Sequence, residues 1–105
     1  MAEADPILSR LRDALAATYG ARIEKVVLYG SRARGDAAPD SDYDVAVFLN
    51  DMTSNWQEFR QLARIELDIL ARTGAAVHAM PYPAGSWSDP SSPLMLELRR
   101  DGREL

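Results

Sequence analysis

The chain has 105 residues and 47% hydrophobic content, enough for one domain with a core that needs no covalent staples. It contains no cysteine, which excludes disulfides and thiolate metal sites and permits a cytoplasmic location. Its 12 basic and 16 acidic side chains leave a net charge of −4, so direct nucleic-acid binding through a basic footprint is not expected.

No apolar run approaches the roughly 18–20 residues that span a bilayer. The opening Met1-Ala2-Glu3-Ala4-Asp5 is acidic and lacks an apolar stretch, so no secretory signal is expected. Asp5 reads as a helix N-cap with Pro6 in the first turn. Ile7, Leu8, Leu11 and Leu15 then recur at helical spacing until Gly20. Ile23 to Tyr29 reads as a strand buried on both faces, because Val26, Val27 and Leu28 do not alternate with polar residues. Gly30 ends it, and a short helical turn runs from Ser31 to Gly35. Asp36 to Asp40 is a polar loop containing a proline. Asp42 to Leu49 predicts a second strand, with Asp42 and Asp44 on one face.

Asn50 to Asn55 reads as loop. Trp56 to Arg72 predicts a long helix with a wide apolar stripe, into which Trp56 and Phe59 fit as packing residues, and Gly74 ends it. Ala75 to Met80 is a third strand, stopped by Pro81 and Pro83. Residues 84–93 read as a surface loop, where Trp87 would be either an exposed partner contact or packed. A last short helix is expected over Pro93 to Arg100, and the domain organisation is a single unit over 1–105 with a C-terminal helix and tail over 94–105. Arg99, Arg100 and Arg103 alternate with Glu97, Asp101 and Glu104, which reads as a solvated helix end. The order of elements predicts an α/β (α+β) fold, a small mixed β-sheet with helices packed against it.

One constellation carries chemistry. A Gly-Ser turn leaves a buried strand, and two carboxylates follow at i and i+2 on the next one. Gly30 lets backbone approach a ligand closely, and Ser31 offers a hydroxyl and an amide at a helix N-terminus, where anions are stabilised. Asp42 and Asp44 would project from one side of a strand about 7 Å apart along it. A hard cation such as Mg²⁺ would relieve their repulsion and bring a triphosphate with it, so an ATP-type substrate suits this acidic chain. A pair of ions could polarise the α-phosphate and stabilise leaving pyrophosphate.

Gly30-Ser31-Arg32-Ala33-Arg34-Gly35 followed by Ser41-Asp42-Tyr43-Asp44 resembles the signature of the DNA polymerase beta-like nucleotidyltransferase superfamily. In length the chain is similar to its minimal members, the MNT-type antitoxins paired with helical HEPN ribonuclease toxins. The resemblance implies a polymerase beta-like nucleotidyltransferase fold and Mg²⁺-dependent transfer of AMP from ATP to a hydroxyl, in such antitoxins a tyrosine of the toxin. It implies that Gly30 and Ser31 hold triphosphate, that Asp42 and Asp44 ligate metal, and that Arg32 is available to phosphate. Arg34 would instead pair with a buried carboxylate.

Active members of that superfamily usually present a third carboxylate from the later strand. Here the strand reads Ala75-Ala76-Val77-His78-Ala79-Met80, and His78, the one histidine, takes the position facing the site. Three readings stay open. Neutral His78 accepts the proton of the attacking hydroxyl or ligates metal; the site binds nucleotide but turns over slowly or not at all; or His78 is an ordinary hydrogen-bonded strand residue. Glu66 falls inside the apolar stripe of the long helix, either pairing with Arg34 or reaching the active site in place of the missing acid. Asp68 falls on the polar face. Tyr29 and Tyr43 flank the constellation, where either stacking on a base or packing would suit them.

Three functions follow: an enzyme that adenylylates a helical partner protein in a hetero-oligomer, a degenerate module that neutralises the partner by binding, or an oligomeric small-molecule nucleotidyltransferase. The length leaves little room for an extra substrate-binding domain, so the acceptor is expected to come from another protein.

Overall fold

The computed structural model describes residues 5–105, and the reading of residues 1–4 lies outside the described residues. The first helix, α1 (Pro6–Tyr19), starts as its sequence dictates: the Asp5 side chain accepts a hydrogen bond from the Ile7 amide at 2.9 Å, with Pro6 in the first turn. Leu8, Leu11, Leu15 and Tyr19 form its buried face, and Gly20 caps its end.

β1 (Ile23–Tyr29) and β2 (Tyr43–Leu49) pair antiparallel, with Val26 opposite Val47 and Tyr29 opposite Asp44. Between them lies the single turn α2 (Ser31–Arg34). β3 (Val77–Pro83) runs parallel to β2 and sets His78 opposite Asp44. A two-residue strand, β4 (Arg103–Glu104), pairs antiparallel with β1 and completes the order β3-β2-β1-β4. The result is the mixed sheet that the element order implied.

Helices cover both faces of this sheet. On one, α1 and α3 (Asn55–Thr73) enclose Leu28, Val45, Val47 and Leu49 with Leu11, Leu62 and Ile69. On the other, α4 (Pro93–Asp101) packs Met95 and Leu98 against Val27, Ala46 and Phe48. The interior strand β2 is therefore buried on both faces from Val45 to Leu49. At the N-terminus of α3 the buried Glu58 accepts a 2.6 Å bond from Arg22, fastening the helix to the segment that enters β1.

Four expectations need correction. β3 does not stop at Met80 but runs through Pro81 to Pro83. It is an edge strand, and the Ala79, Pro81 and Pro83 nitrogens point away from β2, where a proline costs no ladder bond. The 84–93 segment is not all surface loop: Trp87 packs edge-on against Phe48 at 5.8 Å between ring centroids, with the Lys25 ammonium 4.4 Å from its own ring centroid. Arg103 and Glu104 form β4 instead of a solvated helix end. This turn from α4 into β4 needs Gly102, where a Cβ would lie 2.5 Å from the Leu98 carbonyl oxygen and 2.6 Å from a Val27 methyl. Finally, Trp56 does not pack in the core: it is 70% exposed, and Phe59 is 39% exposed.

Candidate functional site

The topology brings three strand ends to one place. β1 ends where the antiparallel β2 begins, and β3, parallel to β2, begins there too. Tyr29, Asp44 and His78 are therefore cross-strand neighbours at one end of the sheet, with Gly30 and Ser31 leading out of it into α2. Residues 15 and 34 positions apart in sequence meet because the strand directions demand it.

Asp44 is the centre of this cluster. Its side chain is 33% exposed, and His78 Nδ1 lies 3.8 Å from Oδ1. Partial burial raises its carboxyl above the usual range; the nearby imidazole opposes that rise, and the Asp42 charge adds to it. Asp42 is exposed and sits just before β2, not within it. His78 is 63% exposed and can reach ligand or solvent.

Gly30 presses its backbone directly against the carboxylate. It adopts φ 74° and ψ −158°, and a Cβ there would lie 2.7 Å from Asp44 Oδ2. Only glycine combines that backbone conformation with that approach. Ser31 starts α2; the Ala33 and Arg34 amides donate to the Gly30 carbonyl, so the turn's own bonds leave out the Ser31 and Arg32 amides.

Arg32 is engaged in the protein. Its guanidinium donates to the carbonyls of Pro39 and Ser41 at 3.0 and 2.9 Å and stacks 4.2 Å from the Tyr43 ring centroid. It thereby braces the loop that carries Asp42. Tyr43 is core, with its hydroxyl donating to Asp5 at 2.9 Å, so of the two flanking tyrosines it is the one committed to packing. Tyr29 faces Asp44 across the strands, and burial, then the charges of Tyr82, Asp44 and Glu97, push its phenol up to about 12. Its place beside the carboxylate was readable only as the last residue of a buried strand.

Arg34 pairs with the neighbouring Asp36, not with Glu66. The Glu66 carboxylate instead accepts the Ala79 amide at 2.7 Å, one residue beyond His78. It satisfies an edge-strand donor that no strand reaches among the described residues. A helix residue meeting a strand amide has no local sequence signal, which is why pairing with an arginine was the simpler expectation.

The donor set suits a divalent cation. Two carboxylates repel across a short span, and an imidazole stands beside one of them. Among the described residues, no three His, Cys, Asp or Glu side chains gather closely enough to hold an ion by themselves. The cluster fits an ion whose coordination is shared with a ligand's oxygens.

A family model described as "Nucleotidyltransferase domain" matches residues 8–89. Solved structures agree in fold. A toxin–antitoxin complex with AMP-PNP includes a chain that superposes with a TM-score of 0.66 at 17% identity, over 91% of this chain and 69% of that one. A protein assigned as a nucleotidyltransferase from Sulfolobus solfataricus gives 0.62 at 19% identity, over 93% and 75%. A complex of tri-AMPylated Shewanella oneidensis HEPN toxin with MNT antitoxin gives 0.51 at 17% identity, over 93% and 64%. No curated protein matches the chain in sequence.

Proposed function

Since the chain belongs to the nucleotidyltransferase domain family, we propose that it transfers AMP from ATP to a hydroxyl, the acceptor being a tyrosine of a HEPN-type toxin that it thereby silences as a cytoplasmic antitoxin. The observation that carries this reading is the meeting of Gly30, Asp44 and His78 at one end of the sheet. The AMP-PNP and AMPylated-toxin complexes among its structural neighbours support the choice of donor and acceptor.

Asp42 and Asp44 would hold Mg²⁺, as one ion or two, together with phosphate oxygens. When bound, the metal neutralises triphosphate charge and favours departure of pyrophosphate. Gly30 leaves room for phosphate at the backbone, while the Ser31 hydroxyl and the Ser31 and Arg32 amides donate to its oxygens. The acceptor hydroxyl forms a bond to the α-phosphorus, the bond to the pyrophosphate oxygen breaks, and His78 takes the hydroxyl proton through a ring nitrogen. Arg32 serves by holding the Asp42 loop through Pro39 and Ser41.

Intact-mass measurement of the partner after incubation with this protein, ATP and Mg²⁺ tests the reading. It should gain one or more AMP increments, and Asp42→Asn or Asp44→Asn should remove the gain while circular dichroism is retained. Transfer that persists in both variants would overturn the metal-ligand assignment. A second reading, silencing by binding alone, is favoured by the histidine standing where a third carboxylate is usual. Inhibition of the partner with no adduct under any divalent metal would establish it.

A further inference from the structure

α3 carries two apolar stripes. Leu62, Ile65 and Ile69 point into the domain, in line with the buried, ion-paired Glu58. Trp56, Phe59, Ala63, Leu67 and Leu70 recur at three- and four-residue spacing on a second line, and four of them are large side chains left 39% to 70% exposed. Exposed apolar side chains scattered singly mean little; one continuous helical line of them marks a surface that another element covers.

That line borders a groove of about 390 Å³ between α3 and the outer edge of β3. Phe59, Ala63 and Glu66 form its helix side, while His78 and Met80 form its strand side. His78 lines this groove and also stands 3.8 Å from Asp44, so the groove and the candidate site share that residue.

The chemistry of the groove narrows its occupant. An added β-strand is disfavoured, because Glu66 already occupies the Ala79 amide and prolines 81 and 83 offer none. A helix suits the spacing of the α3 line. On the solvent side the line is flanked by Arg60 and Arg64, one turn apart, exposed and outside every ion pair among the described residues. An antiparallel twofold pairing with a second copy would bring this rim against itself and set these arginines against one another.

We propose that the α3–β3 groove seats an amphipathic helix of another protein, with an acidic flank lying along Arg60 and Arg64. The seat adjoins His78, so a hydroxyl carried beside that helix would be delivered to the candidate site. This delivery rests on the transferase reading above; the seat itself does not.

Fluorescence anisotropy with two labelled synthetic helices tests the seat, each of about 20 residues, long enough to hold helical turns in water. Both carry one leucine seam, flanked by glutamates in the first and lysines in the second. The glutamate helix should bind at least about tenfold tighter than the lysine helix. Ala63→Glu should lose that binding, and the double variant Arg60→Glu, Arg64→Glu should reverse the preference. Leu67→Glu, at a position 64% exposed, repeats the test where Ala63→Glu impairs folding.

Equal affinity for the two helices, or binding untouched by both seam variants, overturns the proposal. So does a dimer of the protein alone, seen by sedimentation and lost in those variants, since the occupant would then be a second copy. Mg-ATP binding by the wild-type protein separates the two readings. With Mg-ATP bound and neither helix bound, the seat falls alone. With the glutamate helix bound selectively and Mg-ATP not, the seat stands and the transferase reading falls.

Discussion

Replacing Gly30 with alanine probes the tightest contact in the candidate site. Its φ of 74° and ψ of −158° lie in a region nearly reserved to glycine, where another residue costs about 1–3 kcal/mol. The new Cβ would also meet Asp44 Oδ2 at 2.7 Å. The carboxylate must rotate away, and an off-rotamer side chain costs about 0.5–1.5 kcal/mol. Together these predict a loss of about 2–4 kcal/mol, or on the order of 10–30 °C in melting temperature for a domain of this size. Gly74→Ala is the control: φ there is 79°, but an added Cβ meets nothing within 4 Å. Urea unfolding followed by circular dichroism measures both, and a double-mutant cycle isolates the contact. In an Asp44→Ala background, Gly30→Ala should cost less by about 0.5–1.5 kcal/mol, the part owed to the carboxylate. Equal cost in both backgrounds, or a Gly30→Ala no worse than Gly74→Ala, would refute the reasoning.

Three further outcomes are expected. Glu66→Gln keeps an acceptor for the Ala79 amide and should retain transfer, whereas Glu66→Ala strands that donor and should destabilise by about 1–3 kcal/mol; loss of transfer in the glutamine variant with the melt unchanged would place Glu66 in catalysis instead. Arg22→Met leaves the buried Glu58 without its cation and should cost about 3 kcal/mol, while Glu58→Gln, which leaves a half-exposed arginine, should cost less; urea midpoints in the reverse order would contradict the ion-pair account. Alkaline unfolding reports on Tyr19 and Tyr29, both pushed up to about 12, chiefly by burial. The unfolded chain ionises these phenols first, so stability should hold below pH 10 and fall between pH 10 and 12, by at most about 1.4 kcal/mol per pH unit for each. The slope should diminish in Tyr19→Phe, and an unchanged slope there would remove Tyr19 as its source.

The elements that position the site were legible because each carries its signal locally. Asp5 with Pro6 and Gly20 marks the ends of α1, and Ile23 to Tyr29 reads as a strand to the residue. The pair Gly30 and Asp44 was legible as a motif, but not the reason for its glycine, since the 2.7 Å approach depends on how β1 and β2 are registered. Similarly, His78 could be placed facing the site only through the family resemblance, whereas Glu66 could not be matched to Ala79, because a helix-to-edge contact has no period in sequence. The prolines of β3 misled for the same reason. Whether a proline breaks a strand depends on which side its nitrogen faces, and that depends on the strand's place in the sheet.

α3 shows what hydrophobic periodicity leaves open. Its apolar residues occupy an arc wide enough to look like one generous core stripe, with Trp56 and Phe59 inside it. The sheet, however, can cover only the side bearing Leu62, Ile65 and Ile69, because β3 is its edge strand and among the described residues none pairs beyond it. The remainder of the arc runs past the sheet edge and stays exposed. A helical stripe wider than the layer beneath it therefore divides into a core and a surface, and the division falls where the sheet ends. That boundary is also where β3 presents His78 to the site, so the uncovered part of α3 and the candidate acceptor side of the site share one edge.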